Sequence, residues 1–169
     1  MEERTVQSEL SRRSYPSGEI VQMLQKQVLI VPELTVSSKD ASDRAQLVRS
    51  DVADIKKILA KAGYQTEIIL AKTLPRRTLV QKGGDIVLPL VLFSASIPLN
   101  VVTGYISTWL FTRFQGNQQV TIKYEHARFG PDGKIKDYVK LEGKPEEVAK
   151  ILKSGKFELK NYDQGANSG

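Results

Sequence analysis

The chain has 169 residues, 40% of them hydrophobic and 26% charged, with a formal net charge of +6 and no cysteine. That size suits one domain with a substantial buried core, and the composition is ordinary for a globular fold. Disulfides and thiolate metal sites are excluded.

The opening MEERTVQSELSRR lacks an apolar h-region and does not read as a signal peptide. Residues 1–26 read as flexible or partly helical, with Ile20, Val21 and Leu24 as a small apolar patch on a short helix over Glu19 to Lys26. Val28-Leu29-Ile30-Val31, ended by Pro32, is a short buried strand. Ser38 and Asp40 are capping candidates. Val48, Val52, Ile55, Leu59 and Ala62 then recur at 4, 3, 4, 3 spacing, the period of a helix that Gly63 stops. Tyr64 to Leu70 is a second strand. Strand, helix and strand make a βαβ unit with a right-handed crossover.

From Ile86 to Phe114 the chain carries no charge until Arg113. About 20 apolar residues suffice for a membrane span, and Lys72, Arg76, Arg77 and Lys82 precede the run as a positive-inside flank would. Pro89 and Pro98 divide it, however, and Ser94, Ser96, Asn100, Thr103, Ser107 and Thr108 give its second part a polar seam. The run therefore reads as a buried strand or apolar loop over Ile86–Phe93 and a helix over Pro98–Phe114, with Pro98 in its first turn. Leu99, Val102, Ile106 and Trp109 recur at 3, 4, 3 spacing. Asn100, Gly104, Ser107 and Thr108 form an opposite side small enough for close packing.

Val120, Ile122 and Tyr124 alternate with polar residues, Gly130-Pro131-Asp132-Gly133 supplies a turn, and Ile135, Val139 and Leu141 resume the alternation, so a β-hairpin is expected. A last helix starts at Pro145 with Glu146 and Glu147 in its first turn and ends at Gly155. Phe157 to Leu159 is a candidate edge strand, and 160–169 reads as a disordered tail. The expected class is α+β, a two-layer sandwich of about four strands and three helices, one of them very apolar and central. Residues 27–159 would form its single domain.

No catalytic constellation is present in the sequence. The one histidine, His126, reads as a surface or edge residue at a strand end, without companions at metal-ligand spacing. Gly83-Gly84 lacks a phosphate-loop pattern, and Ser94 and Ser96 lack a nucleophile elbow. Neither catalytic residues, a metal nor a cofactor are expected. Lys72, Arg76, Arg77 and Lys82 form a candidate anion-binding patch, but without interleaved aromatics nucleic acid is not an expected partner. Leu99, Val102, Ile106, Trp109 and Leu110 are the candidate interaction surface, for a protein partner or a second copy.

The second half resembles the effector-associated constant component family of small bacterial domains. The resemblance is carried by Lys82-Gly83-Gly84-Asp85, the apolar run, the helix end Trp109-Leu110-Phe111-Thr112-Arg113-Phe114, the PDGK turn and LEGKPEEVAKIL. The helix in DVADIKKILAKAGYQTEIIL extends it to about residues 28–155. The longer polar N-terminus and the Pro-interrupted run depart from the pattern. The resemblance implies a cytoplasmic, non-enzymatic adaptor or scaffold in a bacterial conflict or antiviral defence system, coupling sensor to effector through protein contacts. The alternative is a single-pass membrane protein with a span near 86–111 and a cytoplasmic α+β domain, acting as membrane effector or tether.

Overall fold

Two of the most apolar runs in the chain, Val28–Val31 and Ile86–Phe93, lie side by side at the centre of the structure. A computed structural model describes residues 5–12, 26–32, 35–36, 46–69, 76–79, 85–116, 119–155 and 160–161. Its elements are α1 (Val6–Arg12), β1 (Val28–Val31), β2 (Thr35–Val36), β3 (Gln46–Arg49), α2 (Ser50–Lys61), β4 (Thr66–Ile68) and β5 (Arg76–Leu79), followed by β6 (Asp85–Ser94), α3 (Leu99–Arg113), β7 (Thr121–Phe129), β8 (Ile135–Gly143), α4 (Pro145–Ser154) and β9 (Lys160–Asn161). The class is α+β. A six-stranded sheet has the order β4-β1-β6-β7-β8-β9, and β2-β3-β5 form a small second sheet.

Within the large sheet β1 runs parallel to β4 and β6 parallel to β7, while β1 and β6 are antiparallel. The chain thus builds two βαβ units, one crossing over through α2 and one through α3. The units step outward in opposite directions from strands that point in opposite directions. Right-handed crossovers in both would put both helices on the same face. They do lie on one face: α2, α3 and α4 share a single buried cluster with Val28, Ile30, Val91, Phe93, Ile122 and Tyr124.

The other face is also covered. Val6 and Leu10 of α1 pack with Leu29, Val31, Leu90, Leu92, Ala127, Phe129 and Ile135. Strands buried on both faces read as continuous apolar runs, which accounts for VLIV in β1 and for the missing charges of β6. Each such side chain contributes about 1.5–3 kcal/mol on full burial.

Pro89 in the middle of β6 has no N–H to give a neighbouring strand, and Pro is confined to edges and bulges for that reason. Here it is in a bulge. Val87 pairs with Lys123 and Leu90 with Glu125, so β6 spends one residue more than β7 over this interval. The extra residue reverses the alternation. Ile86 and Leu88 face the helices before the bulge; Val91 and Phe93 face them after it, and Leu90 and Leu92 turn to α1.

Local signals set the ends. Thr5 and Ser8 cap α1 reciprocally, each backbone N–H donating to the other's hydroxyl at 2.9 Å. The hairpin turn closes through Gly133 N–H to the Gly130 carbonyl at 2.9 Å, with Gly133 at φ 79, a conformation that favours glycine. The α1 start is tied to that turn by a Thr5–Lys134 bridge and by Val6 N–H donating to the Gly133 carbonyl at 2.8 Å.

Several expectations need correction. The buried core does not begin at residue 27, because α1 belongs to it. The helix expected over Glu19 to Lys26 and the strand over Phe157 to Leu159 lie outside the described residues. Lys160 and Asn161, expected in a disordered tail, pair with Tyr138 and Asp137 of β8. The span near 86–111 does not form, since that stretch is a strand, a turn and a 15-residue helix. No helix among the described residues is long and apolar enough to cross a membrane.

The placement of α3 makes a direct test. Ile106 is buried and Phe111 is 56% exposed. Ile106→Ala is expected to cost about 2–5 kcal/mol and Phe111→Ala no more than about 0.5 kcal/mol, read from urea unfolding of the two variants.

Candidate functional site

The residues expected to form an interaction surface are mostly interior. Val102, Ile106, Trp109 and Leu110 are buried in the helix-side cluster, and Leu99 is half-buried against it. The 3, 4, 3 stripe correctly marks the inward face of α3, and an inward face touches no partner. What sequence periodicity missed is the outward face. Tyr105 is 43% exposed and Phe111 is 56% exposed, the two large apolar side chains left open among the described residues. Val101, half-buried, extends the same side. The signal was present: an amphipathic helix has polar residues at those positions, whereas α3 has Tyr105 and Phe111 there, among uncharged neighbours.

Three hydroxyls of α3 find partners. Thr103 donates to the Leu99 carbonyl at 3.1 Å and Thr108 to the Gly104 carbonyl at 3.0 Å. Ser107 reaches across to the Ala149 carbonyl of α4 at 2.7 Å, fully buried. The small side of α3 therefore packs partly on α4, as close approach requires. The outer surface keeps Gly104, Tyr105, Thr108, Phe111 and Thr112 and no charge before Arg113.

The C-terminal end of α3 is held by a chain of contacts. Arg113 Nε lies 3.4 Å from Asp51 Oδ1, whose carboxylate is 1% exposed at the first turn of α2. The same guanidinium sits 5.3 Å above the Phe114 ring, which meets Trp109 edge-on at 6.1 Å. Beyond this junction α2 and α3 diverge and leave a groove of about 730 Å³ lined by Asp54, Lys57, Ile58, Lys61, Trp109, Thr112 and Arg113. A smaller recess of about 220 Å³ lies where α3 ends and α4 begins, beside Phe111.

The basic patch is only partly described. Arg76 and Arg77 are in β5, in register with Gln46 and Leu47 of β3. Lys72 and Lys82 lie outside the described residues.

His126 is not at a surface or edge. It is fully buried in the middle of β7, in register with Val91 on one side and Val139 on the other. Its ring lies 5.4 Å from those of Phe93 and Tyr124, and its Nδ1 shares a hydrogen bond of 2.8 Å with the Tyr124 hydroxyl. On the same sheet face, Arg128 grips Asp137 with Nε at 3.0 and 2.9 Å from the two carboxylate oxygens, and with Nη2. Burial lowers the His126 pKa to about 4, with Asp137 opposing and Arg128 adding to the shift. Burial raises that of Tyr124. Both groups are neutral at pH 7 and closed to solvent. Among the described residues no group of three or more histidine or acidic side chains could hold a metal ion.

Compared with protein-family models, with characterised proteins and with solved structures, the chain finds no match.

The histidine gives a pH prediction. A folded-state pKa of about 4 lies below the ordinary 6.5, so the unfolded chain binds a proton more readily. Its contribution to stability is complete above about pH 6.5 and falls as pH drops, with a slope approaching about 1.4 kcal/mol per pH unit, levelling near 4. Urea unfolding from pH 7 to 5 reads the slope, and NMR titration of this single histidine reads the midpoint.

Proposed function

We propose that this chain is a non-enzymatic interaction module, an adaptor that pairs with a second copy through the outer face of α3 and joins a sensor or effector in a bacterial conflict or defence system. The observation that carries the reading is the pair of aromatics, Tyr105 and Phe111, that stays open on the outer side of α3. Exposed apolar patches mark interaction sites. Before Arg113 the face carries no charge, so two copies meet on it without like-charge repulsion. The defence-system setting and a cytoplasmic location rest on the family resemblance alone. The membrane-anchored alternative draws no support from the described helices.

Sedimentation velocity from one to a hundred micromolar tests the pairing. The wild-type chain is expected to shift toward dimer at tens of micromolar. Tyr105→Ser with Phe111→Ser is expected to weaken that shift at least tenfold without loss of fold, since both side chains are exposed. A wild-type chain that stays monomeric throughout removes self-association from the reading.

A further inference from the structure

The groove between α2 and α3 has a second character, distinct from the uncharged face beside it. Its floor is the Trp109 edge and Ile58, both packed on the helix-side core. Its lip carries Lys57 and Lys61, both exposed, and Arg113, 48% exposed; the one carboxylate among the lining residues is the half-buried Asp54. Among the described residues neither Lys57 nor Lys61 takes part in an ion pair. Asp54, Lys57, Ile58 and Lys61 recur at 3, 1 and 3 residues, one side of α2 for about 10 Å. Lysine stems lying along an apolar floor with their ammoniums at its edge favour an occupant that is apolar underneath and anionic at its flank.

The geometry points to a docking cleft for an acidic amphipathic helix of a partner protein, its apolar side on Ile58 and Trp109 and its carboxylates at Lys57 and Lys61. This is the helix-in-groove mode of recognition, in which anchors at helical spacing fill an apolar slot and flanking charge fixes the register. It rests on the adaptor reading and names the chemistry of the second partner. Tyr105, Trp109 and Thr112 share one stripe of α3, so the pairing face adjoins the groove, while the lysines of its lip stand on α2.

Trp109 is the single tryptophan of the chain, so its emission reports occupancy of the groove. The probes are two synthetic helices without tryptophan or tyrosine, alike in a leucine stripe, one flanked by glutamates and the other by lysines. With the full chain, the glutamate peptide is expected to shift the Trp109 emission saturably, and tenfold or more weakly at 0.5 M than at 0.05 M salt. The lysine peptide is expected to leave it unchanged. Lys57→Glu with Lys61→Glu should weaken the glutamate peptide at least tenfold, and the milder Lys57→Gln with Lys61→Gln should weaken it less; circular dichroism checks that both fold. No response, equal response to both peptides, or undiminished binding by the charge-reversed variant overturns the proposal. So does a response to decanoate without one to either peptide, which assigns the groove to a small anionic amphiphile. An emission shift with protein concentration alone that persists in the Tyr105→Ser, Phe111→Ser variant places the second copy in the groove and overturns it too. The peptide titration fails or succeeds independently of dimer formation, because the Tyr105 and Phe111 variants are expected to bind the glutamate peptide normally.

Discussion

Closure of β6 on both faces is the condition on which the rest of the structure depends. Past the exposed Asp85 at its start, a central strand with helices on one side and α1 on the other leaves no position at which a charge would meet water. That requirement writes eight uncharged residues in a row, and it takes Pro89 into the strand only by way of a bulge. The bulge in turn decides which side chains go to which layer. Without the extra residue, Val91 and Phe93 would point at α1 while Leu90 and Leu92 pointed at the helices, and neither cluster would have its present members.

The helix layer inherits its arrangement from the strands beneath. Two parallel pairs laid back to back force both crossover helices to one side, and α4 fills the remaining strip over β7 and β8. Because α3 packs on the sheet and against α2 and α4, one part of its circumference is enclosed and another is left outward. Its apolar composition serves the enclosed part, while Tyr105 and Phe111 on the outward part pack on nothing comparable. The α2–α3 junction adds a charged lip next to that uncharged side, so the layer presents two surfaces of different chemistry.

Much of this was legible from the residues. Period-two and period-3.6 patterns located β1, α2, α3, the hairpin and α4, because each of those buries one face or two with few exceptions. Pro145, Glu147 and Gly155 marked α4 through ordinary end effects, with Glu147 reaching back to the Lys144 N–H at 3.2 Å. Less legible were features that depend on partners distant in the chain. The parallel pairing of β6 with β7 makes Ile86 to Phe129 a second βαβ unit, yet nothing local in the run distinguishes it from an apolar connection. Residues 1–26 read only as flexible or partly helical because Val6 and Leu10 give α1 just two anchors. His126 seemed peripheral because strand order, absent from a linear reading, is what encloses it. The candidate site suffered from the same limit: a stripe of apolar residues tells which side of a helix is inside, and the functional question concerned the side left over.

The tie between α1 and the hairpin turn has a consequence for how the molecule opens. Thr5 and Val6 find their backbone partners in Lys134 and Gly133, distant in sequence. Seven residues are too few to hold a helix in water, so α1 depends on that tie and on the apolar surface that β1, β6, β7 and β8 offer to Val6 and Leu10. Loosening of the hairpin turn is therefore expected to release α1 with it, as one unit of local opening.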